Sequence, residues 1–140
     1  MTEEDKKLLL TDLSARLTYN VKAYVKNWSK LDRKYYEGVY TVESIHPSLN
    51  NILAYSEKCS VEVIVGYDDY EIKPYLFPLS SMTEEQDKEF ALLQTSAGQE
   101  GFLYIWNCAN MMKWLIENHF DYNGLIEKGL AIDATGQNVY

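Results

Sequence analysis

Few residues that anchor a secreted fold, a membrane span or an active site are present. There are two cysteines in 140 residues, Cys59 and Cys108, spaced neither as a metal knuckle nor as a disulfide framework. Reduced thiols in a cytoplasmic protein are therefore the expectation. No apolar run approaches the ~18 residues of a membrane span. The opening Met1-Thr2-Glu3-Glu4-Asp5-Lys6-Lys7 is acidic where a secretory signal is basic, so no signal and no membrane partner are expected. Only two histidines occur, His46 and His119, and neither has a co-ligand or triad partner at motif spacing. Gly98 and Gly101 lack the third glycine of a dinucleotide loop. No Gly-Lys-Ser/Thr and no Gly-x-Ser-x-Gly occurs. The chain is thus read as non-catalytic, with no cofactor and no metal.

What is present is enough for one domain over 1–140. A hydrophobic share of 46% with twelve Tyr and three Trp supports a packed core without staples. The net charge of −8 is uneven. Residues 1–34 hold eight basic and five acidic side chains, whereas 35–140 hold five basic and sixteen acidic ones. The anionic majority disfavours nucleic acid, whose binding rests on Lys and Arg releasing counterions. Asp68, Asp69 and Glu71 form the densest acid knot, but without the alternating spacing of a calcium loop it reads as a solvated hairpin tip.

Periodicity predicts an α+β domain. Leu9, Leu10, Leu13 and Leu17 give a helix from Glu3 to about Leu17, with Thr2 as cap. Val21, Ala23 and Val25 alternate with lysines as in a half-buried strand. The polar stretch 27–37 is expected to separate it from a strand over 38–45. A turn at 46–51, strands at 52–55 and 61–65, and a turn at 66–69 leading to a strand at 70–73 follow. These four to five strands suggest a small curled antiparallel sheet or SH3-like barrel. Pro74 and Pro78 bracket Tyr75-Leu76-Phe77, where a regular strand is not expected to continue. A helix over 84–94 starts at a Thr83/Gln86 capping box. A loop over 95–101 and a segment over 102–106, strand or helix, precede a helix at 108–119, which makes two to three C-terminal helices. Cys108, Met111, Met112, Leu115 and Ile116 are its expected apolar face. A last turn at 125–128 stops at Gly129.

Three strings carry a family resemblance: Thr2-Glu3-Glu4-Asp5-Lys6-Lys7-Leu8-Leu9-Leu10 with Asp12 to Leu17, Ile72 to Glu85, and His119 to Ala131. The chain resembles a family of small uncharacterised proteins carried by phage, prophage and mobile elements of gut anaerobic bacteria. The resemblance implies an accessory role and brings no catalytic residue or cofactor. The chain departs from the family pattern at Asn123, where Arg is common, and in a longer connection over 27–37.

Two segments stand out as candidate surfaces. From Arg16 to Lys34 six basic residues meet one acid, with aromatics interleaved, as in grooves that stack single strands. Lys22, Tyr24, Lys26, Trp28 and Lys30 are the candidate contacts, although a solvated, edge-protecting strand face accounts for the lysines equally simply. Tyr75 and Phe77 are candidates for partner docking, with burial in the core the commoner fate of such aromatics. The leading expectation is a protein partner. Nucleic-acid binding through 16–36 and acidic DNA mimicry against a host defence enzyme are the alternatives.

Overall fold

The computed structural model describes residues 1–97 and 102–140. The chain runs α1 (Glu3–Arg16), β1 (Lys22–Ser29), β2 (Lys34–His46), β3 (Asn51–Tyr55), β4 (Ser60–Ile64), β5 (Tyr70–Leu76), α2 (Glu84–Ala97), α3 (Phe102–Glu117) and β6 (Ile132–Asp133). The architecture is α+β, an N-terminal helix on a curled sheet followed by two C-terminal helices, as expected.

The sheet has the order β4-β3-β2-β1-β5-β6. β1 to β4 form a meander, and β5 returns to pair antiparallel with β1, so β1 is central. The curl brings β4 toward β1 and β5, and the Asn27 amide donates to the Glu62 carbonyl at 2.5 Å across that approach. No ladder joins β4 to β5 among the described residues, so the sheet is open. A register shift between Val42 and Ser44 bends β2 around the core.

Alternation decides which face is buried. Ala23 and Val25 of β1, Tyr40 and Val42 of β2, Ile52 and Ala54 of β3, and Val61 and Val63 of β4 point inward. They meet Leu9, Leu10 and Leu13 of α1 in one continuous core. α1 is started by Thr2, whose hydroxyl accepts the Asp5 N–H at 3.0 Å, with Glu3, Glu4 and Asp5 at the positive end of the dipole. Lys6 lies over the β4–β5 turn at Gly66 (φ +93°), and a Cβ there would fall 2.2 Å from Lys6 Cε.

Three local expectations are corrected, and one left open between strand and helix is resolved. The stretch 27–37 is a tight hairpin in which β1 and β2 pair out to Ser29 and Lys34. The pairing persists because Trp28 faces Tyr35 across the strands, with ring centroids 4.9 Å apart, and a cross-strand aromatic pair stabilises a polar-looking ladder. β5 continues through Pro74 to Leu76. Pro74 occupies the last register pair with β1, one residue before β6 joins, where an absent N–H interrupts least. Residues 95–97 belong to α2, and the rest of the expected loop, with Gly98 and Gly101, lies outside the described residues. Finally, 102–106 is helical and continuous with the following helix.

The chain ends are tied in by caps. α3 closes on His119 in the left-handed region (φ 60°), with Phe120 N–H bonded to the Leu115 carbonyl and His119 N–H to that of Ile116. This double bond pattern satisfies the last carbonyls of the helix. Gly129 (φ 72°) repeats it after 125–128, as its position in the sequence predicts.

Candidate interaction surfaces

The outer face of the sheet carries the basic, aromatic segment. Lys22, Tyr24, Lys26 and Trp28 are alternate residues of β1 and all lie half-buried on the side opposite the core. Lys30 stands exposed in the turn beyond. Tyr35 and Val39 extend the face on β2, and Glu71 and Lys73 on β5. Much of its polarity is already engaged. The Lys22 ammonium donates to Thr41 Oγ1 at 2.7 Å. Lys26 sits 4.4 Å from the Tyr35 ring centroid, and Lys73 pairs with Glu71 at 3.1 Å. Tyr24 donates to Glu37 at 3.2 Å. Burial first, and then that bond, hold the Tyr24 phenol above its ordinary pKa. The face is therefore mixed in charge.

Tyr75 and Phe77 take a different place. Tyr75 is buried, and its carbonyl accepts the Tyr140 hydroxyl at 2.7 Å. Phe77 bridges to Phe120 and packs 6.1 Å from the Tyr140 ring. The strip at 74–78 pins the C-terminal segment to β5, so it presents no exposed aromatic at Tyr75.

Behind it lies a buried polar cluster between α1 and the closing segment. Asp12 and Arg16 are fully buried and bidentate, at 2.7 and 3.1 Å. Arg16 also donates to the Phe120 carbonyl at 2.7 Å and lies 5.1 Å from the Tyr122 ring centroid. Asn123 donates to Asp12 at 2.9 Å. Asp121 accepts the N–H groups of Leu125 and Ile126, both at 2.9 Å. Together these groups clamp α1 to the closing segment. His119 stacks on Tyr140 with centroids 3.8 Å apart. Burial, helped by the Arg16 charge, lowers its pKa to about 4. The imidazole is thus neutral near pH 7 at the helix terminus. Tyr140 is pushed up to about 12 by burial.

Among the described residues, several concave regions are open to solvent. One of about 1020 Å³ runs along β2 between Lys34, Tyr36, Tyr40, Tyr55 and Cys59. One of about 320 Å³ fills the open seam between Val63, Ile72, Lys26 and Asp69. A third, about 430 Å³, lies between Lys7, Leu10 and Ser14 of α1 and Pro47. Asp68 and Asp69 lie exposed in the β4–β5 turn, and among the described residues no three His, Cys, Asp or Glu converge as metal ligands. Cys59, half-buried, sits 3.6 Å from the Tyr40 hydroxyl, and Cys108 is half-buried on α3.

The feature that sequence reasoning missed is the α2–α3 hairpin. No described side chain of α2 is buried, and Leu115 is the buried described residue of α3. Trp114 joins the two helices, packing 5.4 Å from Phe90 and donating to Glu89 at 3.1 Å. It also stacks on Phe120 at 5.6 Å, which moors the hairpin to the body. Away from that mooring, Leu92 is 70% exposed, Ile105 67%, Trp106 59% and Tyr104 51%. Met112, expected in the apolar face, is exposed as well. Four acids and one lysine occupy the N-terminal half of α2. Other acids, Asp68, Asp69 and Glu71, flank the β4–β5 turn.

Compared with known proteins, the chain matches no family model, no curated protein and no solved structure.

Proposed function

We propose that this chain is a non-catalytic accessory protein of a mobile element that acts by binding another protein, with the α2–α3 hairpin as its docking element. One observation carries this reading: a helical hairpin with Leu115 as the buried one among its described side chains exposes Leu92, Tyr104, Ile105 and Trp106. An apolar all-round helix is ordinarily covered, contiguous exposed apolar surface marks interaction sites, and Trp and Tyr dominate interface energetics. The test is crosslinking with mass spectrometry in host lysate, with wild type, a Leu92→Asp/Ile105→Asp variant and a Lys22→Glu/Lys26→Glu variant. Crosslinks to a defined partner that map to the hairpin, vanish in the first variant and persist in the second support the reading. Crosslinks indifferent to both defeat it.

A second reading, single-stranded nucleic acid on the β1 face, is favoured by the shared outward placement of Lys22, Tyr24, Lys26 and Trp28. Glu37 and Glu71 among those lysines weigh against it. Fluorescence anisotropy with a single-stranded oligonucleotide decides: salt-sensitive binding lost in Lys22→Glu/Lys26→Glu supports it, and no binding at low salt removes it.

A further inference from the structure

We infer that the free edge of β2 is a further protein-binding site, which takes an extended segment of a different protein as an added strand. β2 runs from Lys34 to His46, yet β3 pairs with it from Thr41 onward. From Lys34 to Tyr40, the side of β2 away from β1 has no strand beside it among the described residues. Its backbone points in a fixed pattern. Val42 N–H bonds the Val21 carbonyl, and antiparallel pairing alternates, so Lys34, Tyr36, Gly38 and Tyr40 direct their backbone groups at β1. Tyr35, Glu37 and Val39 direct their N–H and C=O groups the other way, along the open edge. β3 follows that edge as far as Tyr55, opposite Thr41, and then leaves it, with Ser56 N–H bonded to the Cys59 carbonyl at 2.8 Å. The concavity of about 1020 Å³ lies where β3 would have continued, between β2 and the 56–59 turn. An edge from Lys34 to Tyr40 is roughly 23 Å long, enough for an ordinary strand.

The walls of this groove suit alternate apolar side chains. Tyr36 and Tyr40 line it, with Cys59 beside the Tyr40 hydroxyl. Gly38 between the two tyrosines leaves a notch, since a Cβ added there would meet nothing nearer than Tyr40 Cε2 at 3.9 Å. Val39 and Tyr55 are exposed beside it. The devices that usually keep an edge from pairing are weak here. The register shift of β2 lies at 42–44, beyond the free stretch, and the stretch holds no proline. Lys34 lies over the Tyr36 ring, and Glu37 accepts from Tyr24. By contrast, the Glu62 carbonyl of β4 is taken by the Asn27 amide, and β6 is two residues long. Donors and acceptors alternating along a strand edge are answered by the backbone of an extended peptide, which selects that class of occupant. A second copy of this chain fits poorly. The antiparallel self-pairing that engages Tyr35, Glu37 and Val39 together sets Glu37 opposite Glu37 of the other copy, and each copy carries a net charge of −8. The occupant is therefore a strand of another protein, with aromatic or β-branched residues at alternate positions and no proline among those that donate to β2.

The test selects a phage-displayed library of short random peptides on the full chain and titrates synthetic forms of the winners into isotope-labelled protein. The expected peptides alternate aromatic or β-branched residues. They slow amide exchange at Tyr35, Glu37 and Val39, and leave Tyr36 and Gly38, already bonded to β1, nearly unchanged. Methylating alternate backbone nitrogens of the peptide weakens binding about tenfold or more in one phase and little in the other, because one phase alone donates to β2. Val39→Pro, which removes an outward N–H and leaves the donors to β1 in place, weakens binding likewise, whereas Ile105→Asp on the hairpin does not. Should Val39→Pro unfold the protein, the two methylation phases still decide on the unaltered chain. A library that yields no peptide protecting the three amides overturns the inference. So does equal loss in both phases, which assigns binding to side chains alone. A wild-type dimer in sedimentation velocity that Val39→Pro dissociates puts a second copy on the edge and overturns it too. Peptides that protect α3 amides and fail with Ile105→Asp defeat the edge while the hairpin reading stands.

Discussion

Asp12 and Arg16 show how a single residue's energetics depend on its partner. Both are fully buried; Arg16 Nε and Nη2 bond Asp12 and the Phe120 carbonyl, Asn123 donates to Asp12, and Arg16 Nη1 is left without a partner. Removing one partner of such a pair strands a charge in the core. Asp12→Ala is expected to lower the unfolding free energy by about 3–5 kcal/mol, whereas Asp12→Leu with Arg16→Met costs less than either single change; urea denaturation of the three variants checks both statements. His119 gives a pH signature with a definite sign. Its pKa falls from an ordinary 6.5 to about 4 in the folded chain, so the unfolded chain takes up a proton that the native one refuses. Stability is therefore full above about pH 6.5 and declines as pH drops toward 4. His119→Asn removes that component and suits the left-handed backbone at this position. The difference in urea midpoint between wild type and variant should change between pH 7 and pH 5, with the wild type losing more.

Among the elements, those with strict periodicity were readable in advance. The strands from β1 to β5 follow from valines and isoleucines at alternate positions, and the α2 start from Thr83 and Gln86, whose reciprocal bonds are 3.2 and 3.0 Å. The β1–β2 hairpin was not readable, because its ladder is held by the Trp28–Tyr35 pair and the Lys26–Tyr35 contact in a stretch whose composition is that of a loop. Pro74 misleads similarly, since its tolerance in β5 depends on which register pair ends there. The β1 face was legible because period two fixes it whatever surrounds it. The exposure of the hairpin was not: apolar residues on a helix read as core, and only the tertiary arrangement shows that Ile105 and Leu92 are mostly exposed. Gly66 supplies an element-scale test. A side chain there meets both φ +93° and the Lys6 stem, so Gly66→Ala should cost about 1–3 kcal/mol. The Lys6 end is a flexible tip that swings aside cheaply, so the cost is mainly backbone strain and adding Lys6→Ala recovers little of the loss in urea unfolding.

At the scale of the whole molecule, stability divides into two tiers. The sheet, α1 and the closing segment share one continuous core and the Asp12–Arg16 clamp, so opening any of them exposes the rest. The α2–α3 hairpin meets this body near Leu115, Trp114 and Phe120. Elements with few buried apolar contacts open at a free energy below that of global unfolding. Native-state hydrogen exchange should accordingly show the amides of α2, and of α3 ahead of Trp114, exchanging through an opening that needs little denaturant. The amides of β1 should exchange only through global unfolding. Thr83→Ala, which removes the capping hydroxyl of α2 and is worth about 1 kcal/mol, should speed exchange in α2 while leaving the β1 amides unchanged. If α2 and β1 exchange together and respond equally to Thr83→Ala, the hairpin is part of the cooperative body. An element that opens on its own while its apolar side chains stay in water has its stability left to be completed by whatever docks on it, and added partner should then slow exchange in α2 more than in β1.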